Sequence, residues 1–159
     1  MIKEPSDVHV SAVVPATSIV WRFAQIMMGV VLGEHVSVGS GTYIGQYATV
    51  GDGTRIGQGC YIVDHMTIGR GCFIGPHVVF TNDKHPVPNN PIYHRQDPIV
   101  EDDVSIGANA TILPGIRLGR GCRIGAGAVV TKDVPPHATW VGNPAHSINT
   151  LVEPCLQGL

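Results

Sequence analysis

Side chains able to do acid-base chemistry lie on both sides of a break in the regular pattern of the chain. Asp64 and His65 come before the break, and Asn82, Asp83 and His85 come at its start. An imidazole can take a proton from an attacking amine or hydroxyl near neutral pH, and a carboxylate can orient it. These residues predict general-base chemistry if the fold brings the two segments together. A corner histidine that is hydrogen-bonded at a subunit contact explains His65 equally well.

The elements that must position these residues form a hexapeptide repeat. Every sixth residue from Val8 to Phe80 is aliphatic or aromatic, the pattern resumes from Val100 to Val130, and from Leu32 onward glycine usually follows. A small or apolar residue two positions earlier gives each unit a short strand with one inward face. Three such units close a coil, so residues eighteen apart should stack about 4.8 Å from each other. The sequence therefore predicts an all-β parallel solenoid in which these glycines supply the backbone freedom of the corners.

The break is an insertion of about fourteen residues after Phe80, which gives a loop of about residues 82–97 rich in proline and polar side chains. Counting eighteen residues per coil places Asn82-Asp83 one coil above Asp64-His65. With the insertion included, the same count places Pro114-Gly115 beside the base of the loop. A loop at one corner of a rigid scaffold is a common way to build a site. We therefore expect the chemistry at this corner, with a purely structural loop as the alternative.

Composition narrows the class of protein. The 159 residues leave room for one domain, and a formal charge of −2 gives no basic patch, so nucleic acid is not expected as a partner. Cys60, Cys72 and Cys122 fall at inward positions and are predicted to be small buried hydrophobes. No segment has the length of a membrane span, and residues 1–10 lack the charged start and apolar run of a signal peptide. A cytoplasmic location is expected by default.

Two late passages carry a resemblance to a known family. Ile124-Gly125-Ala126-Gly127-Ala128-Val129-Val130-Thr131-Lys132-Asp133-Val134-Pro135-Pro136 and Val141-Gly142-Asn143-Pro144-Ala145 look like the coenzyme A end of left-handed parallel β-helix acyltransferases. The likeness covers about Val8 to Ala145. It implies one domain over residues 1–145, a tail over 146–159 that could form a short helix, and coils that depart from the usual right-handed crossover. A simple cap on the solenoid would also explain both passages, because proline ends strand pairing.

The resemblance also implies a donor and an assembly. Family enzymes take acetyl-CoA as acyl donor, need no metal, and work as homotrimers with active sites between subunits. Ala108 and Ala126 match positions where small side chains let the pantetheine arm approach the backbone. Thr131, Lys132 and Pro144 match positions near the adenosine and phosphate end, where the lysine supplies charge for a phosphate. A solvated surface lysine is the alternative for Lys132.

Further residues narrow the resemblance to a subfamily. Val20-Trp21-Arg22-Phe23-Ala24-Gln25-Ile26 and Val79-Phe80-Thr81-Asn82-Asp83-Lys84-His85-Pro86 look like enzymes that acetylate the amine of nucleotide-linked 3-amino sugars for surface polysaccharides such as lipopolysaccharide. This implies a dTDP- or UDP-linked amino deoxy sugar as acceptor. Trp21 and Arg22 would bind the base and diphosphate, although packing of Trp21 at a trimer contact explains it equally well. Asp64 and Asp83 would also contact the acceptor.

The same resemblance implies roles at the reacting centre. Asn82 matches the loop asparagine that contacts the reacting sugar. In the subfamily the amine attacks the thioester directly and the thiolate of coenzyme A receives the proton. The chain departs from the subfamily pattern at Asp64-His65, where an Asn-Asn pair is expected, and at His85. His65 and His85 therefore stay candidate bases.

Three other interpretations are open. An O-acetyltransferase of the galactoside or maltose type would use His85-Pro86 as part of a Thr-His-Pro passage. A trimeric β-helix carbonic anhydrase would bind zinc through histidines five apart, and no two of the eight histidines have that spacing. A non-catalytic β-helix scaffold would have no need of the Val-Gly-Asn-Pro-Ala ending.

Overall fold

A computed structural model describes residues 1–89 and 91–148, in which the chain winds through three sheets whose strands pair in parallel, except at the C-terminal end of the described chain. No helix occurs in these ranges. The seven-stranded sheet contains, in spatial order, β1 (Asp7–Val8), β3 (Gln25–Ile26), β6 (Tyr43–Ile44), β9 (Tyr61–Ile62), β12 (Val79–Phe80), β15 (Thr111–Ile112) and β18 (Val129–Val130).

The other two sheets complete the three faces. The five-stranded sheet contains β4 (Val31–Leu32), β7 (Thr49–Val50), β10 (Thr67–Ile68), β13 (Ile99–Val100) and β16 (Arg117–Leu118). The eight-stranded sheet contains β2 (Ile19–Val20), β5 (Ser37–Val38), β8 (Arg55–Ile56), β11 (Phe73–Ile74), β14 (Ser105–Ile106), β17 (Arg123–Ile124), β19 (Thr139–Val141) and β20 (His146–Ser147). The predicted all-β solenoid of hexapeptide repeats is confirmed.

The register confirms the eighteen-residue coil. Tyr43 pairs with Tyr61 in the seven-stranded sheet, and Thr49 pairs with Thr67 in the five-stranded sheet. Across the loop the paired residues are thirty-two apart rather than eighteen, as in Thr67 with Ile99. The insertion therefore leaves the solenoid at one corner and returns to the same register.

The core runs along the inside of the coils. The buried position of each repeat and the residue two before it both point inward, so Ile62, Phe80 and Ile112 lie under one another, fully buried. Cys60, Cys72 and Cys122 are buried among them as free thiols, as predicted. A few inward positions carry a hydroxyl in place of an apolar group. Thr42, one coil before Cys60, donates to the carbonyl of Gly57 and accepts the backbone N–H of Cys60.

The corners correct the predicted role of glycine. The left-handed backbone falls on the third residue after the buried one, as in Gly41 (φ 69°), and not on the glycine that follows directly. That first glycine is needed for another reason, because the next coil lies too close for a side chain. A Cβ on Gly39 would be 2.5 Å from the backbone nitrogen of Gln58.

The C-terminal end of the described chain folds back on the last coil. Trp140 of β19 pairs with Ser147 of β20 in antiparallel register, and the indole packs against the core. A strand therefore begins at His146, at the start of the segment for which the resemblance allows a short helix. The rest of that segment, residues 149–159, lies outside the described residues.

Candidate active site

One corner of the solenoid differs from the other two, and we call it the loop corner because the inserted loop leaves from it. It follows the strands of the seven-stranded sheet. At the other corners the residue after the buried position is glycine in most coils. At the loop corner this residue is Met27, Gly45, Val63, Thr81, Leu113 or Thr131. The loop corner therefore carries side chains where the other corners mostly have none, except at Gly45, where the next coil lies as close as elsewhere.

Asp64 is held firmly at the loop corner. Its Oδ1 accepts the backbone N–H of Gln46 from the preceding coil at 2.9 Å. The carboxylate also acts on Tyr43: burial raises the pKa of this phenol first, and the charge on Asp64 raises it further. The ring of Tyr43 stacks on that of Tyr61 with centroids 4.9 Å apart. An oriented carboxylate therefore lies beside two stacked phenols.

His65 occupies the left-handed position of the same corner. Its backbone φ is 58°, and its N–H donates to the carbonyl of Gln46 at 2.7 Å. The imidazole is exposed and lies against the ring of Tyr47 in the coil below. A side chain that is exposed and also positioned from one side can exchange protons with a ligand.

The base of the inserted loop is closed by backbone hydrogen bonds. The N–H of Gln96 donates to the carbonyl of Asn82 at 3.0 Å, and the N–H of Gly115 donates to the carbonyl of Gln96 at 2.9 Å. The predicted position of Gly115 beside the loop base is therefore correct. Within the loop, Asp83 accepts the backbone N–H of His85 at 2.9 Å. These bonds fix the backbone of Asn82 and the carboxylate of Asp83 at the base of the loop.

Tyr93 is a residue of this region that the sequence did not single out. Burial raises the pKa of its phenol, and the charge on Asp83 raises it further, with a smaller effect from Asp64. Tyr93 therefore belongs to the electrostatic surroundings of Asp83. No periodic signal marks a single tyrosine in an irregular loop.

Three cavities lie in a row along the loop corner. The middle cavity, about 330 Å³, lies between the loop and the coil that follows it; it is lined by Thr81, Asp83, Lys84, Pro86, Leu113, Pro114, Ile116 and Thr131. The loop cavity, about 260 Å³, shares two of these residues and is lined by Asp83, Lys84, His85, Ile92, His94 and Gln96. The candidate base His85 and the carboxylate of Asp83 therefore border the same space.

The terminal cavity continues the row beyond the middle one. It has a volume of about 510 Å³ and shares Thr131 with its neighbour; its lining is Thr131, Lys132, Trp140, Asn143, Pro144, Ala145, His146 and Ser147. Three predicted cofactor residues, Thr131, Lys132 and Pro144, thus meet in one cavity. Trp140 was not singled out by the sequence, and its indole nitrogen is buried without a hydrogen-bond partner among the described residues.

Other predicted residues lie elsewhere. Ala108 and Ala126 follow β14 and β17, so they stack on the corner after the eight-stranded sheet and not on the loop corner. Trp21 and Arg22 lie on that same corner at the opposite end of the solenoid, both exposed. A single chain does not bring these four residues to the loop corner.

Residues 1–89 and 91–148 contain no group of three or more histidine, cysteine, aspartate or glutamate side chains that could hold a metal ion. In the same ranges no helix is long and apolar enough to cross a membrane.

Comparison with known proteins gives the class. The family described as bacterial transferase hexapeptide (six repeats) matches residues 47–82 and 97–132. Together with the solenoid and the structural likenesses below, this match shows that the chain belongs to the hexapeptide-repeat transferases. No curated protein matches the chain with significant sequence similarity.

Particular solved structures are similar to the chain. PerB from Caulobacter crescentus, in complex with CoA and GDP-perosamine, is 26% identical over 88% of this chain and 55% of its own, with a TM-score of 0.64. A hexapeptide-repeat acetyltransferase from Vibrio cholerae O1 biovar eltor, complexed with acetyl coenzyme A, is 28% identical over 76% of this chain and 70% of its own, with a TM-score of 0.68.

A third similar structure is a galactoside acetyltransferase in complex with coenzyme A. It is 29% identical over 77% of this chain and 64% of its own, with a TM-score of 0.68. The chain therefore spans little more than half of PerB and just under two thirds of the galactoside enzyme.

Proposed function

We propose that the chain is an acetyl-CoA-dependent N-acetyltransferase that acts on the amino group of a nucleotide-linked amino deoxy sugar, dTDP- or UDP-linked by its resemblance, in the synthesis of a surface polysaccharide. The observation that carries the proposal is the continuous row of cavities along the loop corner. It has a lysine at one end and a carboxylate with two histidines at the other. Such a row suits an elongated donor that delivers its reactive end to the loop.

The donor is assigned to the terminal and middle cavities. Lys132 supplies a cation for a phosphate of coenzyme A in the terminal cavity. Leu113, Pro114 and Ile116 give the middle cavity an apolar wall for the pantetheine arm. The thioester then lies where the middle and loop cavities share Asp83. Coenzyme A or acetyl coenzyme A is bound in three similar structures, which supports acetyl-CoA as the donor.

The chemistry proposed is direct acyl transfer. The neutral amine of the sugar, held by Asn82, attacks the thioester carbonyl, so that a C–N bond forms and the C–S bond breaks. The amine proton passes to the departing thiolate, or to His65 or His85 acting as base. Holding two substrates in fixed geometry supplies much of the rate, because a neutral amine is already a competent nucleophile. Backbone N–H groups of the coils can stabilise the oxyanion.

The proposed site needs two copies of the chain. Thr131 and Lys132 lie on the loop corner, whereas Ala108 and Ala126 lie on a different corner of the same solenoid. Both groups can contact one coenzyme A only if the corner of one copy meets the other corner of its neighbour. A cyclic homotrimer brings every such pair of corners together with identical contacts. The residues assigned to the donor therefore support the trimer that the resemblance implies.

A turnover assay tests the proposal. Release of coenzyme A from acetyl-CoA is measured with dTDP-, UDP- and GDP-linked 3-amino and 4-amino sugars, and with galactoside, maltose and chloramphenicol as hydroxyl acceptors. We expect turnover confined to an amino sugar. Turnover of hydroxyl acceptors alone contradicts N-acetylation, and no turnover with any acceptor favours a scaffold.

An O-acetyltransferase is the second candidate, because His85 borders the loop cavity next to Asp83. The similarity to a galactoside acetyltransferase supports it as well. A hydroxyl needs a base more than an amine does, since its proton is far less acidic than that of the ammonium formed on attack. Loss of almost all hydroxyl acetylation in His85→Asn, with no amine acetylation in the parent, would establish this candidate.

A further inference from the structure

A fourth cavity lies away from the loop corner, in the first coils of the solenoid. Its volume is about 380 Å³, and it is lined by Pro5, Ser6, Asp7, Phe23, Ala24 and Gln25. None of these residues has a part in the site described above. They combine an exposed aromatic ring with polar groups that point to one space, which is the composition of a small-molecule site.

Phe23 is in an unusual setting for a large apolar side chain. The residue is 66% exposed, and its backbone φ is 63°, in the left-handed region where the solenoid elsewhere has glycine or the amphipathic rings of Tyr47 and His65. The same corner position is glycine in many coils, for example Gly41 and Gly59. Folding does not require a ring here, so a ring exposed at the edge of a cavity points to a ligand with a flat face.

Polar groups complete the cavity. The hydroxyl oxygen of Ser6 is buried and has no hydrogen-bond partner in the described part of the chain. Asp7 and Gln25 pair directly across β1 and β3, so their side chains stand side by side on the outer face of the sheet. A carboxylate, an amide and a hydroxyl can together bond the donors and acceptors at the edge of a heterocycle.

We infer that this cavity binds the nucleobase of the acceptor, with Phe23 stacking on the ring and Asp7 and Gln25 bonding its edge. The inference rests on the proposed function, because it assumes that the sugar is nucleotide-linked. Every base of a nucleotide sugar carries at least one N–H at its edge for the carboxylate of Asp7.

The position of the cavity fits the length of such an acceptor. The strand β3 beside the cavity is connected to β12 at the start of the loop through β6 and β9. Three strand spacings amount to about 14 Å along the solenoid. A base, a ribose, two phosphates and a hexose in series can extend over that distance. The outer face between the two ends carries Tyr43 and Tyr61, whose hydroxyls can bond a ribose or phosphate.

Calorimetry with unreactive probes tests the inference. Binding of UDP, dTDP, GDP and inorganic pyrophosphate is measured for the parent chain, for Phe23→Gly and for Phe23→Tyr. Glycine is at ease with the left-handed backbone of this corner, so Phe23→Gly should fold. His35→Gly is the matched control, since His35 has the same backbone (φ 58°) on another corner.

We expect at least one nucleoside diphosphate to bind the parent chain. Phe23→Gly should weaken it on the order of tenfold, the usual loss for a stacked base, and leave pyrophosphate unchanged. Phe23→Tyr should restore the affinity and His35→Gly should not alter it. An equal effect on pyrophosphate and nucleotides, or no nucleotide binding at all, overturns the inference. If the inference fails but the chain still turns over a nucleotide-linked amino sugar, the proposed function stands. If nucleotides bind through Phe23 but no amino sugar is turned over, the inference about the cavity stands and the proposed function fails.

Discussion

The imidazole of His65 lies against the ring of Tyr47, with centroids 5.0 Å apart and planes tilted by 33°. The two residues occupy equivalent corner positions one coil apart, so the stacking of the solenoid imposes the contact. The contact covers one face of the imidazole, and both ring nitrogens stay available at its edge. The position thus suits a base, which makes His65, His85 and Asn82 the residues to compare.

Substitution of these three residues separates the two mechanisms. If Asn82 positions the sugar for direct attack, Asn82→Ala should lower kcat/KM most, and His65→Asn and His85→Asn should have little effect. If one histidine is the base, its variant should lose about 10² to 10⁴ in rate near neutral pH and recover part of it at high pH. The measurement is kcat/KM against pH for all three variants. A histidine variant that loses activity equally at every pH would contradict its role as a base.

Removal of the charge on Lys132 tests the terminal cavity. Lys132→Gln should weaken coenzyme A binding about tenfold, the usual cost of a lost charged hydrogen bond. Calorimetry with coenzyme A and dephospho-coenzyme A shows whether Lys132 contacts the 3′-phosphate. If it does, Lys132→Gln should bind dephospho-coenzyme A as tightly as the parent does. Lys3→Gln, in the first coil, is the control of equal charge. Equal affinities for parent and Lys132→Gln would make this lysine a solvated surface residue.

Two neighbouring glycines should respond differently to the same substitution. In Gly41→Ala the new methyl group meets no atom within 4 Å, so the cost is the left-handed backbone alone, about 1–2 kcal/mol. In Gly39→Ala it meets the backbone of Gln58 and Gly57, which cannot move without separating two coils. The free energy of unfolding in urea should therefore fall further for Gly39→Ala. A larger loss at Gly41 would mean that the coils can separate easily.

Burial should make the Cys122 thiol unreactive and should make its contribution to the free energy of unfolding depend on pH. Burial, followed by the nearby Cys72 and Glu101, raises the pKa of this thiol from 9.0 to about 12. The raised value favours the folded state fully below pH 9, and this contribution is lost as the pH rises towards 12. In a Cys155→Ser background, the gap in unfolding free energy between parent and Cys122→Ala should narrow above pH 9. Rapid alkylation of Cys122 in the folded parent near neutral pH would contradict this prediction, because it would show that the thiol is accessible.

The column of Ile62, Phe80 and Ile112 could be predicted from the sequence alone, because a six-residue period fixes register even across an insertion. The glycines were misassigned because two different constraints, a left-handed backbone and a close neighbouring coil, select the same residue. The sequence does not say which of them applies. Tyr93 and Trp140 were missed because the loop and the C-terminal cap follow no period, so their positions depend on packing.

Because all coils pair in the same register, the number of coils between two sites fixes the distance between them. Every coil advances the chain by one strand spacing, about 4.8 Å, whatever its sequence. Deletion of one whole coil between β3 and β12 would therefore shorten the distance from the first cavity to the loop by that step and keep every register. If the acceptor extends from the first cavity to the loop as inferred, the number of coils between β3 and β12 then sets the length of acceptor that the chain can bind.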